Sequence, residues 1–221
     1  MMAVDSIMTC KICETRRPRR MCPGVGGEIC SVCCGTEREN TVACPLDCVY
    51  LQEARLREKV PELDPQSIPN SDIRITDEFL RDHGALLGEM MRELAEVALG
   101  IPGVVDYDVR EALDSLVRTY RTLESGLYYD SKPSNLMAAG VHERVQQGVD
   151  AFRRAAAERF GITTVRDVEI LGVLAFLQRV ELRLNNGRKR GRAFIDFLRQ
   201  QIGPVQGVHT EPPSGSSLLV P

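Results

Sequence analysis

Residues 10–48 read CKICETRRPRRMCPGVGGEICSVCCGTERENTVACPLDC and contain all eight cysteines of the 221-residue chain. They fall as Cys10-x2-Cys13, Cys22, Cys30-x2-Cys33-Cys34 and Cys44-x3-Cys48. A Cys-x2-Cys pair holds two thiolates on one tight turn, facing one cation, and two such pairs close a tetrahedral zinc site. Cys10, Cys13, Cys30 and Cys33 supply that set, with 16 residues between the pairs, within the spacing of structural zinc sites. Cys22, Cys34, Cys44 and Cys48 remain as a second set. Adjacent residues rarely reach one tetrahedral centre together. The Cys33–Cys34 doublet therefore predicts one thiolate for each of two metals, in an interleaved ligand order.

Metal also answers an energetic need. Residues 1–50 hold few large apolar side chains, too thin a core for so short a segment without a staple. One structural zinc contributes about 10–16 kcal/mol to the folding of a small finger. The competing readings of the cysteines are a disulfide framework and another soft-metal or iron–sulfur site. The opening MMAVDSIMTC lacks the charged and apolar regions of a secretory leader, and no cysteine follows Cys48. Both features favour two structural Zn2+ ions on reduced thiolates and a cytoplasmic location.

On Cys10-x2-Cys13, Cys30-x2-Cys33 and the closing Cys44/Cys48 pair, the stretch resembles the cross-brace double-zinc fingers of the RING, MYND and HIT types. The resemblance covers about 40 residues, and the stretch departs from the pattern in having no histidine between Cys10 and Cys48. It implies a module that docks proteins. For the RING type it further implies recruitment of a ubiquitin-conjugating enzyme, for which an apolar groove with Ile12 and Leu46 would be needed.

Beyond the cysteines the pattern is helical. Pro45 suits the first turn of a short helix starting near Cys44 and running to about Lys59. Pro61, Pro65 and Pro69 then mark a linker. Thr76 caps a helix whose apolar residues, from Phe79 to Ala98, recur at three- and four-residue steps up to Gly100. Further helices are predicted at about 107–126, 134–160 (ended by Gly161), from Thr164 to Asn185, and 190–202. The run Ile170–Leu177 is apolar on every side, which predicts a central, buried helix. The fold class is therefore mainly α: a cysteine-rich double-zinc module at 1–50, a short helix and Pro-rich linker at 51–72, an approximately five-helix bundle at 73–203, and a disordered tail at 204–221.

The net charge of −3 hides an asymmetry, with about −8 in residues 51–130 and +6 in residues 131–202. Two basic runs stand out: Arg16, Arg17, Arg19 and Arg20 between finger ligands, and Arg188, Lys189, Arg190 and Arg192 between the last two helices. Each fits phosphate contact. Each also has a plainer reading, as compensation for the −4 of two zinc ions on eight thiolates, or as a solvated face. No Glu-x-x-His, His-Glu-x-x-His or Gly-x-Ser-x-Gly motif is present, and eight thiolates on two metals leave no open coordination position. The expectation is a non-enzymatic zinc-binding adaptor for a protein partner, with no membrane association. The alternative is a nucleic-acid-binding regulator that uses the two basic runs, if they share a face. The sequence leaves homo-oligomer formation open.

Overall fold

The computed structural model describes residues 9–59, 64–127, 129–161 and 165–202. The chain start and the tail expected at 204–221 lie outside them, as do Thr164 and part of the linker. The described residues form two short strands, both inside the finger, and eight α-helices.

In the finger, β1 (Arg20–Cys22) pairs antiparallel with β2 (Gly27–Ile29), in the register Met21 to Glu28. The hairpin turns through Gly26, at φ +65°, a conformation that suits glycine. Helix α1 (Ser31–Glu37) follows at once, with the Cys30 sulfur accepting from Cys33 N at its N-terminus. Helix α2 (Val49–Arg55) starts at Val49 rather than near Cys44. The intervening residues turn instead, with Cys48 N bonding Pro45 O, and this folds Cys44 and Cys48 back toward the hairpin.

The helical part comprises α3 (Asp77–Asp82), α4 (Gly84–Gly100), α5 (Asp106–Glu124), α6 (Leu136–Phe160), α7 (Asp167–Leu184) and α8 (Ala193–Gln201). Thr76 caps α3 as the sequence predicts, accepting from Phe79 N at 3.1 Å. The long first helix is broken at His83, so five expected helices become six. The break lets α3 lay Phe79 on the bare face of Gly172 in α7, where an added Cβ would sit 2.4 Å from the ring. Gly161 ends α6 in the left-handed region at φ +78°, its N–H bonded to Ala157 O. Helix α7 is central: Ile170, Val173, Leu174 and Ala175 are fully buried between α5, α4 and α8.

Residues 69–72, expected as linker, are strapped to the bundle together with Ile73. Arg179 of α7 donates to the carbonyls of Pro69, Asn70 and Ile73, and Asn70 bonds the side chains of Gln178 and Arg121. Helix α8 receives its N-terminal cap in trans. Asp106, the first residue of α5, accepts from Phe194 N at 3.0 Å and from Ile195 N at 3.1 Å. That cap explains why α8 starts at Ala193 and not at 190.

Candidate metal centre

The first thiolate set assembles as the spacing predicts. The ligand atoms of Cys10, Cys13, Cys30 and Cys33 all lie within 4.8 Å of one another. Zinc–sulfur bonds of about 2.3 Å would set the sulfurs about 3.8 Å apart, so a modest contraction closes the site. Local backbone makes the cage. The Cys10–Cys13 turn is closed by Glu14 N to Cys10 O, with Glu14 at φ +55°, and tied to β2 by Lys11 N to Glu28 O. Cys30 N donates to the Cys10 sulfur at 3.2 Å.

The electrostatics fit a cation. Burial raises the Cys10 thiol, but backbone donors from Cys13, Cys30 and Ile12 outweigh it and hold the group at about 6. Burial pushes the Cys33 thiol up to about 12, and hydrogen bonds with Cys30, Cys13 and Cys10 and the charge on Cys10 add to the rise. Four thiolates this close cannot all ionise unaided, whereas a divalent soft cation would hold all four. Arg16 is hydrogen-bonded to Cys30 and carries its positive charge beside Cys13, which raises the guanidinium's own pKa.

The other four cysteines, Cys22, Cys34, Cys44 and Cys48, line one small, closely packed cavity with Arg20, Arg38 and Tyr50. Burial raises the Cys44 thiol, a hydrogen bond from the Glu39 backbone opposes that rise, and Glu39, Cys48 and Cys22 add to it. Among the described residues only the first set reaches the tight mutual spacing of a closed cage. The Cys34 sulfur accepts from Arg20 at 3.3 Å and from Arg38 at 3.8 Å. The roughly 100° of helical rotation between adjacent residues of α1 thus separates Cys33 from Cys34, the first facing one sulfur cluster and the second the other.

The 188–192 run does not stand out in solvent as a whole. It forms the strap on which the finger is seated. Arg190 N donates to Glu39 O at 2.7 Å, Arg192 N to Glu39 Oε1 at 3.1 Å, and the Arg188 guanidinium to Arg38 O at 2.7 Å. Arg192 is half-buried and reaches Ala98 O, while Lys189 and Arg190 keep exposed side chains. In the other run Arg17 and Arg19 are exposed, Arg16 serves Cys30, and Arg20 lies over the Tyr50 ring at 4.6 Å. Arg20 and Arg188 line one cavity, so the two runs meet at a single point and do not form a continuous stripe.

Sequence reasoning missed the residue that joins the two parts, Glu39. It is 1% exposed, in the left-handed region at φ +53°, and its carboxylate takes Arg55 at 2.7 Å and Asn186 at 2.9 Å. Arg55 passes on to Asp196 of α8. No spacing signal could have found this network, because its members come from four separate parts of the chain. Leu46, expected to line an exposed groove, is buried in the helical core. No helix of the described residues is long and apolar enough to cross a membrane. No family model matches the chain, and neither a curated protein nor a solved structure shows similarity to it.

Proposed function

We propose that the chain is a non-enzymatic, zinc-stabilised adaptor, and that its working surface is the seam between finger and helices. The observation that carries this reading is the placement of Glu39. Its backbone bonds Cys44 in the sulfur cluster, while its side chain is bonded into the helical part through Arg55 and Asn186. Order imposed by metal on the finger is thereby transmitted to α2, α8 and the 188–192 strap. Two zinc ions are assigned, one on Cys10, Cys13, Cys30 and Cys33, the other on Cys22, Cys34, Cys44 and Cys48. Arg16 offsets thiolate charge at the first, and Arg20 and Arg38 at the second. Saturated thiolate coordination gives both ions a structural role.

A protein is one partner class for such a surface. A nucleic acid is the second, and the meeting of Arg20 and Arg188 at the seam favours it. Elemental analysis of the purified chain tests the adaptor reading: two zinc per chain are expected. Chelation should then open both the finger and α2 to limited proteolysis. One zinc with four freely titrating thiols would refute the assignment.

A further inference from the structure

The seam carries two cavities, one on each side of the C-terminal end of α2. The first, about 360 Å³, is lined by Arg20, Arg38, Tyr50, Arg57 and Arg188 with two glutamates. The second, about 440 Å³, is lined by Arg55, Lys59, Arg183, Arg188 and Phe197 with Glu58 and Asp196. Arg188 and Glu58 belong to both, so the cavities adjoin. Seven cations against three carboxylates is a marked local excess in a chain whose net charge is −3.

Much of that charge has an internal role. Arg55 is held by Glu39 and Asp196, Arg188 by Glu58 and Arg38 O, and Arg20 and Arg38 by Cys34. Arg57, Lys59 and Arg183 remain: exposed, without an ion pair among the described residues, and distributed over both cavities. Cations on both sides of one helix, about 10–12 Å across with its side chains, suit a linear polyanion crossing it better than a single small anion.

We infer that this groove binds the phosphodiester backbone of a single-stranded nucleic acid, the partner chemistry of the seam in the adaptor reading on which the inference rests. Each cavity is of small-ligand size, large enough for an unstacked base, and each has a ring or a stacked guanidinium in its wall. Tyr50 lies under Arg20 in the first, and Phe197 lines the second. Aromatic and guanidinium planes beside phosphate-binding cations are what single strands use. An acidic peptide would use the same charges but has no need of the planes. A duplex would present its bases stacked and closed.

The test is fluorescence anisotropy of the zinc-loaded full chain with a labelled mixed-sequence 15-nucleotide strand, as RNA and as DNA, across a salt series. Binding of either is expected, with a log–log salt slope of about −2 for three phosphate contacts. The Arg57→Ala/Lys59→Ala/Arg183→Ala variant should bind at least about tenfold more weakly with a slope near zero, and Lys59→Glu alone should weaken binding in the same direction. Arg74→Ala/Arg81→Ala, away from the groove, should bind as wild type does. Absence of salt-dependent binding, a triple variant as tight as wild type, a duplex bound more tightly than the strand, or displacement by polyglutamate at equal charge would each overturn the inference. Such failure with two zinc bound and finger and helices still unfolding together leaves the adaptor standing and removes this partner class alone. Loss of zinc or of that coupling removes both.

Discussion

Glu39 and Arg55 meet at 2.7 Å in a place nearly closed to water, their side chains 1% and 14% exposed. Glu39 is reached from α1 by a left-handed turn, and Arg55 lies at the last turn of α2, so the pair joins finger to helix before either touches the bundle. Arg192 N and Asn186 complete the carboxylate's partners on one side, and Asp196 those of the guanidinium on the other. A buried pair of this kind, in which Arg55 Nε finds no hydrogen-bond partner among the described residues, contributes little net stability over an apolar substitute, but breaking it leaves a charge stranded. Glu39→Ala should therefore cost about 3–5 kcal/mol. The expected signature in urea unfolding is a single transition that splits in two, finger signals leaving before helical ones. A single transition at the wild-type midpoint would show that the seam holds without this carboxylate.

The doublet gives a sharper test of the metal assignment. Cys33 and Cys34 are neighbours in sequence on α1 but face different sulfur clusters. Cys33→Ser and Cys34→Ser should each leave one metal bound, at different sites. With Co2+ in place of Zn2+, each variant should keep about half the thiolate-to-metal charge-transfer absorption. The two should then differ in response to Arg20→Ala, because the Arg20 guanidinium donates to the Cys34 sulfur. Identical behaviour of the two serine variants in that background would mean the doublet serves one centre.

The parts of this fold that were legible in advance are those written in local spacing. Cys10, Cys13, Cys30 and Cys33 converge because each pair is closed within one turn. Thr76, Gly161 and the all-apolar run from Ile170 announce a cap, a stop and a buried helix in the same local way. What escaped was long-range and polar. Asp106 caps α8 from 88 residues away, and Glu39 takes Arg192 N from 153 away. A basic run is likewise ambiguous by itself, since Arg188 and Arg192 proved to be seam residues only once Arg38 and Glu39 were opposite them. Leu127 lies three residues past the end of α5 and Met137 in the first turn of α6, and both are exposed.

Asp106 makes the stability of the bundle depend on pH. Burial pushes its carboxyl up to about 7, the backbone donors Phe194 and Ile195 offset this in part, and Glu181 and Glu39 add to the rise. A carboxyl whose folded pKa is raised binds its proton more tightly folded than unfolded. Its contribution is complete below the unfolded value near 3.8 and is lost as pH climbs to about 7. A rise from 3.8 to about 7 corresponds to a loss on the order of 4 kcal/mol. With zinc saturating, wild type should lose stability between about pH 4 and 7, and Asp106→Asn should lack that slope. Parallel profiles for the two proteins, by urea unfolding followed at 222 nm, would place the titration elsewhere.

Gly24 links backbone space to the second sulfur cluster. A Cβ there would lie 2.6 Å from Ala43 O and 2.7 Å from a Val42 methyl. The first of these is backbone and cannot swing aside, so the two segments must part. One carries Cys22 and the other Cys44, both members of the second sulfur cluster. Gly24→Ala should thus cost about 1–3 kcal/mol through overpacking, felt as weaker metal binding at Cys22, Cys34, Cys44 and Cys48 alone. Gly35→Ala is the matched control, because it lies in α1 with nothing within 4 Å and gains helix propensity. Competition with a chromophoric chelator should show one of two zinc ions released at least about tenfold more readily in Gly24→Ala, and neither in Gly35→Ala. Equal loosening of both ions would mean that the strain spreads through the hairpin to Cys30 instead of stopping at the second sulfur cluster.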